Sequence, residues 1–399
     1  MKKLLLFATT VVLALGASAQ EDYKLEKLWE LNPETFGIDK GDIRQGFGMD
    51  GKFYINDKST QTILIVDENG LTQETLPGGR NCAISRDEAG NIITSNAGFG
   101  STQWIEHTFV VTDPVTGQSK TYTMPSECGL AGRCDFYGFA KGNLMEDGEL
   151  YLTGATSDGT IVTDRIACVK ITDGEVDTDN SYLATCDNLV KPQSSTVINY
   201  YVDIDGNEAL VYAYRSGNPA KLMADGDNFT FTAIVLPDLN ANAAKGHANG
   251  VFPLVWDGKE LFIYPLMPDY RDGWAIAEAG GAEPIVAVEA TAAANVNAFQ
   301  ANWLNAEVDA DGVTIYQYAP GYCLRVYRLT KESSTPQGLR GDADNDGEVT
   351  ISDVTAVIDY LLSGAEINEV NADADLDKNL NISDITAIID YLMTGNWSN

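Results

Sequence analysis

Between residues 20 and 331 the apolar positions fall in short runs that alternate with polar ones, and an acidic-glycine turn recurs between the runs. The pattern appears as Met49-Asp-Gly51-Lys-Phe53-Tyr-Ile55, then as Asp87-Glu-Ala-Gly90-Asn-Ile92-Ile93 and Glu146-Asp-Gly148-Glu-Leu150-Tyr151-Leu152. It returns at Asp203–Tyr212, at Trp256-Asp-Gly258-Lys-Glu-Leu261-Phe262-Ile263 and at Asp309-Ala-Asp311-Gly312-Val-Thr-Ile315-Tyr316. Period-two alternation on either side of an Asp-Gly turn predicts hairpins. From Gly51 through Gly90, Gly148, Gly206, Gly258 and Gly312 the spacing is 39, 58, 58, 52 and 54 residues. Six strand-rich units of this size predict a mainly β chain folded as a six-bladed β-propeller, with each turn joining two strands of a blade. A pair of β-sandwiches is the competing arrangement. A ring needs closure, and Leu25-Glu-Lys-Leu28-Trp29 is placed to pair with Cys323-Leu-Arg-Val326-Tyr327, which removes the exposed edge.

After a polar linker, 332–339, the period changes. Val354, Val357, Ile358 and Leu361, and again Ile385, Ile388, Ile389 and Leu392, follow helical spacing. Each helix is preceded by an acidic loop, and the two loop–helix units repeat with an offset of 31 residues. The first loop is Asp342-Ala-Asp344-Asn-Asp346-Gly347-Glu348-Val349-Thr350-Ile351-Ser352-Asp353. The second is Asp373-Ala-Asp375-Leu-Asp377-Lys378-Asn379-Leu380-Asn381-Ile382-Ser383-Asp384. The expected domains are thus 20–331, a β-propeller, and 340–399, a small all-α duplicated EF-hand-like domain. Residues 1–19 read as an export signal: Lys2 and Lys3, an apolar run from Leu4 to Leu15, and the small residues Ala17-Ser18-Ala19 before a cleavage point.

Oxygens at loop positions 1, 3, 5, 9 and 12, with a backbone carbonyl at 7, wrap a hard cation such as calcium. Without one, carboxylates about 5 Å apart repel by about 3 kcal/mol per pair at an effective dielectric near 20. A divalent cation converts that repulsion into folding energy. The duplicated unit, residues 340–394, resembles a type I dockerin, down to the Asp at position 12 where an ordinary EF-hand has Glu. The resemblance implies two calcium ions and docking onto a cohesin module of another protein, commonly in assemblies that degrade polysaccharides. Carried over by position, Asp342, Asp344, Asp346, Thr350, Asp353 and the carbonyl of Glu348 would hold the first ion. Asp373, Asp375, Asp377, Asn381, Asp384 and the carbonyl of Asn379 would hold the second. Position 6, a glycine in the family, is Lys378 in the second loop, where a positive φ would cost about 1 kcal/mol. The family's partner-contact pair becomes Ile351-Ser352 and Ile382-Ser383. Its identity in both repeats implies docking in two orientations related by a half-turn.

The whole chain carries 58 acidic against 26 basic residues, a net charge of −32, which argues against nucleic acid as a partner. Two histidines exclude a zinc cluster built on several His, and no apolar run in the mature chain spans a bilayer. Export permits disulfides. Cys128 and Cys134 flank a short loop and are the best-placed pair, Cys168 and Cys186 follow, and Cys82 and Cys323 remain. Six cysteines allow fifteen pairings, and free buried thiols stay open. In a propeller the strand before each turn lines the axis, and polar residues precede those strands. Arg44, Arg80 and Arg133, three of only ten arginines, with His247 and Asn249, form a candidate ligand-binding set. The expected protein is therefore exported and calcium-dependent. Its tail docks onto a partner and its propeller binds a ligand, a carbohydrate by the dockerin context. The alternative is a propeller glycan hydrolase or lyase delivered by the same tail, although no catalytic motif is found.

Overall fold

The computed structural model describes residues 17–19 (backbone), 23–39, 41–96, 107–129, 134, 136–153, 165–189, 196–213, 218–237, 250–266, 272–289, 302–331 and 339–397. The chain divides into two compact units, 1–331 and 332–399.

The first unit is a six-bladed β-propeller of antiparallel sheets. Blade 1 consists of Gly46–Met49, Lys52–Asp57, Thr62–Asp67 and Gly70–Pro77; blade 2 of Ile84–Arg86, Ile92–Ser95, Thr108–Thr112 and Ser119–Thr123. Blade 3 runs Lys141–Gly142, Gly148–Leu152 and Arg165–Thr172, with Glu175–Val176 and Tyr182–Thr185 both paired to that third strand. Blade 4 holds Val197–Val202, Glu208–Ala213, Ala220–Asp225 and Asn228–Ala233. Blade 5 holds Phe252–Trp256, Lys259–Pro265, Trp274–Glu278 and Val286–Val288, with Ala17–Ala19 added outside as a fifth strand. Blade 6 takes Trp303–Asp309, Gly312–Ala319 and Cys323–Lys331 from the end of the unit and Tyr23–Leu31 from its beginning.

Each acidic-glycine turn does join the first two strands of a blade: Met49 pairs with Lys52, Arg86 with Ile92, Gly142 with Gly148, Val202 with Glu208, Trp256 with Lys259 and Asp309 with Gly312. These connections are two to five residues long, and by strand alternation all lie on one face of the ring. The connections between second and third strands, and between blades, leave from the other.

Alternation along the strands explains the ring. In blade 1, Phe53, Ile55, Leu64 and Val66 enter a core shared with Tyr316, Tyr318, Leu324 and Val326 of blade 6. Their neighbours Tyr54, Ile63 and Ile65 point the opposite way, into a core shared with Ile84 and Ile92 of blade 2. Four further cores fill the remaining blade interfaces around the ring. Because both faces of each sheet are buried, the strands read as nearly continuous apolar runs. The closing strands pair antiparallel from Tyr23 opposite Lys331 to Leu31 opposite Leu324, with a shift of register between Lys27 and Trp29. Arg325, buried in the final strand, ties this closure by bonding both Glu30 and Asp272.

Of the two readings left open for the cysteines, the structure shows buried thiols: all six are buried and none is in a disulfide. The Cys134 thiol donates to the Phe136 carbonyl (3.3 Å), whereas that of Cys128 reaches the Cys168 and Tyr182 carbonyls (3.4 Å each).

In the second unit, α1 (Ile351–Ser363), α2 (Glu369–Ala372) and α3 (Ile382–Thr394) surround a small core of Ala343, Val354, Val357, Ala372, Ala374, Ala387 and Ile388, with Val349 and Leu380 packed on it. Thr350 and Asn381 cap α1 and α3 in capping boxes completed by Asp353 and Asp384, and glycines 364 and 395 end the helices in left-handed turns.

Candidate functional site

The acidic loops close upon their own carboxylates. In the first, Asp342 accepts from the N–H groups of Asp346 (3.0 Å) and Gly347 (3.1 Å), and Asp353 from those of Asp344 (3.1 Å) and Thr350 (2.7 Å). The second repeats this: Asp373 accepts from Lys378 N–H (3.0 Å), and Asp384 from Asp375 (3.2 Å) and Asn381 (2.8 Å). Carboxylate oxygens of Asp342, Asp344 and Asp353 lie within 4.8 Å of one another, as do those of Asp373, Asp375 and Asp377. Asp346 and Asp384 stay in the same loops but outside these closest groups. Thr350 and Asn381, the expected ninth ligands, spend their side chains on capping, accepting from Ser352 and Ser383 N–H. Burial raises the Asp353 carboxyl above the usual aspartate range, opposed by the Thr350 and Asp344 N–H groups.

The donor set is all hard oxygen, and one oxygen of Asp373 is buried without a protein hydrogen bond. An orphaned anionic oxygen beside two other carboxylates suits a cation. The acidic groups therefore fit calcium. Lys378 does adopt the left-handed backbone its position requires, with φ +67°, where the first loop has Gly347 at +92°.

The helices carry a second apolar face that helical periodicity alone did not separate from the first. Val354, Val357 and Ile388 are buried, but Ile351, Ile358 and Leu362 on α1 lie on a solvent-facing stripe, with Ile382, Ile389 and Met393 in matching places on α3. The ends of these stripes are wide open: Ile351 is 68%, Leu362 81%, Ile382 73% and Met393 80% exposed. The spacing i, i+7, i+11 places each trio on one side of its helix, and Thr355 and Thr386 fill the i+4 positions. This spacing was present in the sequence and marks the stripe once the buried face is assigned.

The two halves differ at one point. The ring of Trp397 stacks on Tyr391 at 4.2 Å and 10° between planes, and the Arg340 guanidinium sits 4.7 Å from the centre of the Trp397 ring. Arg340 Nε also donates to the Ala374 carbonyl (2.6 Å). The start of the unit is thereby clasped to its end. The equivalent tyrosine of the first half, Tyr360, instead donates to Glu369 (3.2 Å).

In the propeller, the six inner strands converge on a cavity of about 20 Å³, lined by residues of all six blades. That is room for one water. The polar side chains near it stitch blades together. Gln45 donates to the Tyr137 carbonyl (2.7 Å) and accepts from Ile84 N–H (3.0 Å). Asn199 bonds Phe139 N–H and the Val251 carbonyl, both at 3.0 Å, and Asn305 bonds N–H and carbonyl of Gly48, both at 2.8 Å. On the turn side Phe139 packs against Phe47 and Phe252 (centroids 6.1 and 5.0 Å apart), and the Arg86 guanidinium lies 4.7 Å over Phe139. Among the described residues the axis holds a small cavity between packed side chains.

Arg86, which sequence reasoning passed over, is thus the arginine against the axis. Of the expected ligand set, Arg44 is half-buried, with Nε donating to the Gly41 carbonyl (2.9 Å), and Arg80 is exposed; both lie on segments leading into inner strands. Arg133, His247 and Asn249 lie outside the described residues. His107 is buried and bonded to Tyr137 Oη (2.6 Å); burial pushes its pKa down to about 4, so the ring is neutral at pH 7.

Residues 340–393 match the family described as Dockerin type I domain, behind the propeller body. Such domains bind calcium and dock onto cohesin modules. No curated protein matches the chain. Among solved structures, the chain is similar to the WD40 domain of Toxoplasma gondii coronin (11% identity, 71% of this chain and 67% of that one, TM-score 0.37). It is also similar to the N-terminal domain of Nup159 (7% identity, 78% and 97% covered, TM-score 0.40). Both scores are too low to add to the blade assignment, which rests on the strand pairing. No helix among the described residues is long and apolar enough to cross a membrane.

Proposed function

We propose that this is an exported adaptor: its tail, folded around two calcium ions, docks onto a cohesin module, and its propeller presents a ligand-recognition face, with a carbohydrate as the ligand in polysaccharide processing. The ligands for the ions are Asp342, Asp344, Asp346, Thr350, Asp353 and the Glu348 carbonyl, and Asp373, Asp375, Asp377, Asn381, Asp384 and the Asn379 carbonyl. Bound calcium would neutralise the clustered carboxylates and hold α1 and α3 in place. The chain's own residues then make the contact.

The observation that supports docking most directly is the pair of matching exposed stripes. Soluble domains seldom leave apolar side chains this open in a regular row unless a partner covers them. Ile351 and Ile382 start the two stripes, each followed by Ser352 or Ser383, so a half-turn about the axis relating the repeats would present the same chemistry. Export is supported by the 1–19 segment. Cleavage after Ala19 would remove only the fifth strand of blade 5 and leave four intact. The small axial cavity turns ligand recognition to a face of the ring: Arg44 and Arg80 lie on segments that lead into inner strands, on the face opposite the acidic-glycine turns, and Arg133, His247 and Asn249 complete the proposed set from the sequence.

The test is titration of the calcium-loaded full chain against cohesin modules by calorimetry. Wild type should bind and lose binding in chelator. Changing both Ile351 and Ile382 to Asp should weaken binding by about 10- to 150-fold, since whichever orientation is used then loses one buried isoleucine worth about 1.5–3 kcal/mol. Either single change should cost far less, because the other orientation survives. Equal losses for single and double variants would refute the half-turn reading. No binding to any cohesin would refute docking itself.

A further inference from the structure

Ser85, on the inner strand of blade 2, is 1% exposed and lines the axial cavity, yet among the described residues its Oγ has no hydrogen-bond partner. Its surroundings make this unusual. Gln45, Asn199 and Asn305, the amides of the same lining, each bond the backbone of another blade with both ends of the side chain. A buried hydroxyl left dry weakens the fold relative to alanine in its place. The cavity beside it, about 20 Å³, exceeds the smallest volume that holds a water and falls far short of a sugar ring.

We infer that the propeller axis is a built binding site for a single ordered water, held by Ser85 Oγ and by axial backbone carbonyls. Each carbonyl has two lone pairs and a strand ladder uses only one, so acceptors are at hand for the water's hydrogens. The lining includes no carboxylate, so the compensating charge a metal ion would need is missing. The chemistry selects a neutral donor–acceptor the size of one oxygen. The water would complete the polar ring that the three amides begin, joining blade 2 to its neighbours where the inner strand is only Ile84–Arg86.

Two measurements on the full chain decide it. A crystal structure at about 1.5 Å should show one peak within about 2.6–3.2 Å of Ser85 Oγ with at least two further polar neighbours. An empty axis overturns the inference, and so does an anomalous peak after a rubidium soak, which would make the occupant a cation. In thermal melts, Ser85→Ala should lower the propeller Tm by roughly 1–3 °C, because the water loses its anchor. An unchanged or higher Tm would mean that the hydroxyl was dry. If Ser85→Ala fails to fold, the wild-type density by itself distinguishes a bound water from a dry hydroxyl.

Discussion

The two units solve the folding problem by opposite means. The propeller buries apolar side chains between every pair of neighbouring blades, so its stability is spread over six cores. The tail has one core of seven fully buried residues, mostly alanine and valine, and carries thirteen acidic against two basic residues between 339 and 397. Such a core is small against the repulsion of its loops, and on the proposed reading a bound cation supplies what apolar burial does not. On that reading one unit is held by shape, the other by charge neutralisation.

The sharpest way to break this contrast is to remove the metal. Chelation should abolish the helical circular dichroism of the tail while the β signal of the propeller persists. Loss of both together, or of neither, would show that the units do not differ as described.

The propeller has its own electrostatic weak point in His107. Its folded pKa of about 4 lies below the usual 6.5, so the unfolded chain takes up the proton first as pH falls. Stability is therefore complete above pH 6.5, declines toward pH 4 and levels off beneath it, a loss of about 3 kcal/mol. Denaturant midpoints across this range should fall in wild type and stay flatter in His107→Gln. Parallel curves would remove His107 as the cause.

Smaller effects test the tail. Trp397→Ala removes both the ring stack and the cation–π contact, and should cost the calcium-loaded unit about 2 kcal/mol, read as a lower melting temperature of the helical signal alone. Lys378→Gly relieves a left-handed lysine in the second loop. It should tighten one of the calcium affinities by about 1 kcal/mol, near fivefold in calorimetry, and leave the other unmoved.

The features legible in the sequence are those in which function fixes spacing along the chain. Metal ligands sit at set intervals, so the twin loops could be read directly, and the Asp-Gly turns marked the blades because each is a local hairpin. What escaped depends on distant residues. Gln45 and Asn199 line the axis as polar residues, yet their amides are satisfied by the backbone of other blades. Arg86 reaches the axis only because Phe139, 53 residues on, crosses to meet Phe47 and Phe252. Helical periodicity grouped Val354, Val357, Ile358 and Leu361, but could not say that the first two face inward and the last two remain open.

The pairing of Tyr23–Leu31 with Cys323–Lys331 has a temporal consequence. A chain that emerges amino end first must hold that early strand idle until some three hundred later residues have appeared. Until then, blade 6 lacks its outer edge and blades 1 and 6 share no core. The ring would then lock in a single late event, and the tail, the next segment to emerge, would begin to fold just as it does so.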